Sequence, residues 1–115
     1  MKAPMPPNVL ADLTDLVQRV ADGDRIALRL LYITLCDAVR EEAGRRLTRY
    51  RDVRSVVNAT FLEVWWLARF HCEPGHDVLT WVLGIAGRRA GERARSPRRG
   101  THDERTRLDL ARLIS

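Results

Sequence analysis

DVRSVVNATFLEVW, residues 52–65, places its apolar side chains at helical spacing. Val53, Val56, Val57, Thr60, Phe61, Val64 and Trp65, with Ala68 a turn further on, make one wide apolar face. Arg54, Ser55, Asn58, Ala59, Glu63 and Trp66 fall on the opposite, mixed side. A half-buried strand would alternate with period two, and no stretch of this chain does so for long enough. The segment therefore reads as an amphipathic helix, with Asp52 placed to start it.

The same spacing extends in both directions. Upstream, Asp24 is placed to cap a long helix whose stripe is Leu28, Leu31, Leu35, Val39, Ala43 and Leu47, with Tyr32 and Cys36 alongside. Before it, Asn8 is placed to cap a helix carrying Leu10, Leu13, Leu16, Val17 and Val20, which should stop at Ala21-Asp22-Gly23. Residues 1–7, MKAPMPP, read as a disordered lead. Downstream, residues 70–76 break the pattern as a loop, and Asp77 should cap a fourth helix with Val78, Trp81, Val82, Ile85 and Ala86 inward. Ser96 to Gly100 reads as a linker. Thr101-His102-Asp103-Glu104 has capping-box spacing, ahead of a short last helix bearing Leu108, Leu110, Ala111, Leu113 and Ile114. The expected fold is all-α, a bundle of four main helices over residues 8–96, with 97–115 a linker and short C-terminal helix. Trp65 and Trp81 are expected in the core. Trp66, about 100° round the helix from its neighbour, is expected on the surface as a partner contact.

The chain has 115 residues, enough for one domain that buries roughly two-thirds of its unfolded surface. No apolar run approaches the ~20 residues of a membrane helix, and no secretory leader is expected. The two cysteines read as reduced thiols of a cytoplasmic protein. Net charge is +5, and it is uneven: residues 1–87 hold 11 basic and 11 acidic side chains, whereas 88–115 hold nine arginines against four acids. An arginine-rich end on a balanced body suits a phosphate backbone. An acidic protein surface, or a merely solvated tail, is the other reading.

Enzyme chemistry has little foothold. There is no Gly-rich phosphate loop, nucleophile elbow or helical H-E-x-x-H. His71, Cys72 and His76, with Cys36 or His102, are zinc-type side chains, but their spacing fits no common site and they read as loop residues. No catalytic residue, metal or cofactor is expected.

Four segments, in order, resemble region 2 of the extracytoplasmic-function (ECF) sigma factors of the sigma-70 family. Leu16 to Asp24 followed by Leu31-Tyr32 is similar to the family's L-x-x-V-x-x-G-D and L-Y. Asp52 to Trp65 is similar to D-A-E-D-V-V-Q-E-T-F-L-x-V-W. Trp81 to Ala90 is similar to W-L-x-x-I-A-x-R-R-A, and the arginines that follow are similar to D-R-x-R. The resemblance covers about residues 10–96. It implies a transcription-initiation module that binds the clamp helices of the RNA polymerase beta-prime subunit and the unpaired minus-ten promoter strand, with an anti-sigma factor as a further partner and no membrane. On this reading Asp52, Ser55, Asn58, Ala59, Leu62 and Trp66 face polymerase. Arg88, Arg89, Arg93 and Arg95 meet phosphates, and Phe70, His71 and His76 belong to the base-capturing loop.

The chain departs from the pattern in three places. Arg54 and Ser55 replace E-D, Asn58 replaces Gln and Ala59 replaces Glu, which reverses local charge on the polymerase-facing side. The loop lacks F-D-P-x-R-G-S. The final helix is expected to be too short to stand for the family's second, minus-thirty-five-reading domain. These departures keep two alternatives open: a degenerate sigma-like regulator acting through protein–protein contact, and a plain helical DNA-binding module.

Overall fold

Asp24 does what its place ahead of an apolar stripe dictates. In the computed structural model, which describes residues 7–70, 77–96 and 101–115, its carboxylate accepts hydrogen bonds from the amides of Ile26 and Ala27 at 3.0 and 3.1 Å. Helix α2, Arg25–Gly44, starts there. Asp77 caps α4, Val78–Arg95, through the Thr80 amide at 3.2 Å and hydroxyl at 2.8 Å. These bonds hold both carboxyls below the ordinary range, chiefly through the Ala27 amide for Asp24 and the Thr80 hydroxyl for Asp77.

The other helix starts differ from the sequence reading. Helix α1 is Pro7–Ala21, so Asn8 lies inside it and Pro7, with no N–H to satisfy, is its first residue. It ends where Gly23 takes a φ of +89° and donates its amide to Val20 at 2.9 Å. Helix α3 is Tyr50–Leu67, two residues longer at its start than expected. Arg49 precedes it without a side-chain cap, and Asp52 is a buried residue of the first turn. A 3-10 turn, Ala68–Phe70, follows α3. Helix α5 is Thr101–Ile114, so Thr101 is helical, and Glu104 pairs with Arg107 at 2.5 Å.

Every described element is helical or turn, so the all-α expectation holds. Helices α2, α3 and α4 each pack on the other two. α1 lies across α2, α4 and the 3-10 turn, and α5 lies on α3 and α2. The buried faces are the stripes read from the sequence: Leu13 and Val17 of α1, Leu28, Leu31, Leu35 and Val39 of α2, Phe61 and Val64 of α3, and Val82 of α4. Phe61 is fully buried and meets the Tyr32 ring edge-on, centroids 5.0 Å apart. Burying such a ring stabilises the fold by about 1.5–3 kcal/mol. Trp66 is 59% exposed, as expected, whereas Trp65 and Trp81, expected in the core, are only half-buried against its margin. Cys36 also packs on the core margin.

Gly84 sits exposed in the middle of α4, and a Cβ placed there meets nothing within 4 Å. Gly84→Ala should raise stability by about 1 kcal/mol by lowering unfolded-chain entropy. Thermal melting followed by circular dichroism should show a midpoint about 4 °C higher, and a lower midpoint would contradict this account of α4.

Candidate functional site

The basic face of α4 is built from residues of unequal freedom. Arg88 and Arg89 lie opposite Glu63 of α3, whose side chain is only 11% exposed. Arg89 Nε donates to Glu63 Oε1 at 2.7 Å, and Arg88 pairs with the other carboxylate oxygen. Glu92 lies 3.8 Å from Arg88 on the solvent side. One carboxylate thus holds two adjacent guanidiniums, and about half of Arg88 and a third of Arg89 remain in solvent. Arg95, in the last turn, is exposed and has no ion pair among the described residues. Phe70 is 76% exposed, with the Arg69 guanidinium 5.9 Å from its ring centroid. His71, Cys72 and His76 lie outside the described residues.

Arg93 departs from the sequence reading. It is not at the phosphate-facing surface: its side chain is 10% exposed and lies between two carboxylates. Nε donates to Asp52 Oδ1 at 3.0 Å. Nη1 and Nη2 donate to the two Asp103 oxygens at 2.9 and 2.8 Å, and the Ser55 hydroxyl adds a bond to Asp103 Oδ1 at 3.0 Å. The physical reason is reciprocal. Asp52 is 7% exposed at the start of α3 and needs a cation, and Arg93 is the guanidinium that α4 brings within reach. Asp52 and Ser55, expected to face polymerase, are therefore bound within the fold.

The rest of that expected face divides in two. Asn58 lines a groove with Arg107 and Leu110 of α5, and Ala59 lines another with His102 and Thr106, so α5 runs alongside both. Leu62, Trp66 and Leu67 continue as a more apolar strip, bordered by His102 and Thr106 of α5. α5 is anchored along its length by Asp103 near its start, by Leu110, 2% exposed, and by the Arg25 side chain, which donates to the Leu113 carbonyl at 3.1 Å.

Neither Glu63 nor Asp103 was legible as a tether from spacing. Glu63 reads as one acid on a mixed face, and Asp103 as part of a capping box. Their partners are 25 to 26 and 10 residues away in the chain, on other helices.

The Asp103 carboxyl is held below its ordinary 3.8, first by the Arg93 guanidinium and then by the Ser55 hydroxyl, against the opposing effect of burial. A folded-state pKa below the unfolded one means that protons favour the unfolded chain. The stabilisation is whole above about pH 5 and is lost as pH falls through the lowered pKa. Asp103→Asn should flatten that acid limb in pH-dependent urea melts, and an unchanged limb would deny the linkage. Arg93→Ala leaves two carboxylates without their cation and should cost about 3 kcal/mol, whereas Arg95→Ala should change stability by less than about 0.5 kcal/mol.

Comparison with known proteins adds one relative. Over 99 residues, 86% of this chain, the sequence is 30% identical to the ECF RNA polymerase sigma factor SigK of Mycobacterium ulcerans (strain Agy99). The chain spans about half of that relative, 53% of its length. No protein-family model and no solved structure matches the chain.

Proposed function

We propose that this chain, related to the ECF sigma factors of the sigma-70 family over part of their length, serves bacterial transcription initiation as a region 2-like module, a binding protein and not an enzyme. Its partners on this reading are RNA polymerase core, at the beta-prime clamp helices, and the unpaired minus-ten strand of promoter DNA, in the cytoplasm. The observation that carries the reading is the exposed cationic edge of α4, in a chain whose sequence follows a sigma factor through that helix.

Arg88, Arg89 and Arg95 are the phosphate contacts, with Phe70 a surface aromatic for an unstacked base. Glu63 sets the threshold. A phosphate reaching Arg88 or Arg89 competes with a carboxylate already in place, which weakens the hold on any strand and favours a site where several contacts form together. Trp66 and Leu62, on the open part of α3, are the apolar anchors for the polymerase helices.

A second reading, a sigma-like regulator acting by protein–protein contact, is favoured by one observation. α5 runs along Ser55, Asn58 and Ala59, half of the α3 surface that the polymerase contact would use. On that reading the module is closed to polymerase while α5 is docked, and an anti-sigma factor or another protein engages the Trp66 strip alone.

Capture of polymerase core on the immobilised chain separates the two. The leading reading requires retention at modest salt, with Trp66→Ala weakening it about tenfold; no retention, with or without Asp103→Ala to loosen α5, leaves the regulator. Single-stranded minus-ten oligonucleotide should bind better than duplex. Glu63→Gln should tighten that binding several-fold by releasing two guanidiniums, and Arg88→Ala with Arg89→Ala should lower the salt slope by about 1.4, at ~0.7 per phosphate contact. A Glu63→Gln chain that binds more weakly than the parent while still folded would contradict these assignments.

A further inference from the structure

Residues 45–54, RRLTRYRDVR, contain five arginines and a single acid, Asp52, which is buried against Arg93. The overall balance of residues 1–87 hides this excess. Folding places the end of the segment, at the start of α3, beside α5. There Tyr50, Arg51, Arg54, Asn58 and Arg107 line a groove of about 570 Å³, together with the carboxylates of Asp103, which Arg93 holds, and Glu104, which Arg107 holds. A smaller hollow of about 240 Å³ shares Tyr50, Arg54, Asn58 and Arg107 and reaches Arg40 and Tyr32 of α2, so the two lie side by side as a channel with shared lining.

The cations along it are not equally committed. Arg40 holds Asp37 at 2.8 Å and Arg107 holds Glu104 at 2.5 Å, both pairs largely in solvent. Arg51 and Arg54 are exposed and form no ion pair among the described residues. They lie three residues apart on α3 and so share one flank of the helix. Tyr50, beside them, is 69% exposed: its ring stands out as a platform and is not recessed as a pocket that would seat an apolar side chain. A bare ring flanked by free guanidiniums suits an unpaired base on the ring with its phosphates on the cations.

We propose that this channel is a second binding site for single-stranded nucleic acid, in which Arg51 and Arg54 take phosphates and Tyr50 stacks a base. It lies between α2, α3 and α5, is distinct from the α4 edge, and does not depend on the polymerase or promoter assignment. Because Arg107 belongs to α5, the channel is complete only while α5 is docked. Strand binding here and α5 docking therefore reinforce each other.

Fluorescence anisotropy of a labelled oligothymidylate, titrated with the full chain between about 50 and 200 mM salt, tests the site. Arg51→Ala with Arg54→Ala should weaken binding about tenfold and lower the salt slope by about 1.4, with the helical circular dichroism unchanged because both side chains are exposed. Tyr50→Ala should weaken it about fivefold or more, and Tyr50→Phe should preserve it. The same losses should appear on top of Arg88→Ala with Arg89→Ala, which separates this channel from the α4 edge. Unchanged affinity and slope in the Arg51 and Arg54 double variant overturns the site. An effect of the arginines with none of Tyr50→Ala, together with tighter binding of a polyglutamate peptide than of the strand, overturns the ligand in favour of an acidic protein segment.

Discussion

One guanidinium ties three helices together. Arg93 of α4 reaches Asp52 at the start of α3 and grips both oxygens of Asp103 near the start of α5, with Ser55 closing the ring. A group this buried loses its hydration on folding, and only well-placed carboxylates offset that cost. The arrangement therefore specifies position more than it adds stability. An apolar stripe tolerates small slides and rotations, whereas a two-pronged guanidinium–carboxylate pair tolerates neither. It sets where α5 lies, and with it which parts of α3 meet solvent.

From that placement follows how the cations are distributed. A chain with 20 basic side chains offers far fewer free ones to a partner. Arg93 is spent inside the fold, Arg88 and Arg89 share Glu63, Arg107 holds Glu104, and Arg40 holds Asp37. The guanidiniums left to solvent include Arg95 at the end of α4 and Arg51 and Arg54 at the start of α3. Net charge sets the long-range attraction to a polyanion, but contact is made by these uncommitted groups and by those whose carboxylate a phosphate can displace.

The helical architecture was readable because its causes are local. Leu28, Leu31, Leu35 and Val39 repeat at a spacing that only a helix turns to one side, and Asp24 and Asp77 cap because a short carboxylate can reach the amides two and three residues on. Trp66 was placed on the surface by the 100° step from Trp65 alone. The misread starts have causes of two kinds, one across the fold and one within a turn. Asp52 looked like a cap because caps are short and acidic, yet it turned inward to meet Arg93, leaving Arg49 before α3 with no side-chain cap. Thr101 and Glu104 had capping-box spacing, but Arg107 one turn on competes for the same carboxylate.

By itself, then, the amino-acid order determined five amphipathic helices, most of their ends, the residues of their buried faces and a surplus of arginine. Each of these depends on neighbours within about a turn of the chain. Which arginines are free, which face of α3 is covered, and that Tyr50, Arg54 and Arg107 line one channel were decided only by the tertiary structure. Ion pairs across helices join residues up to 41 positions apart, and a pairing at that range depends on how the helices cross, which no local spacing encodes.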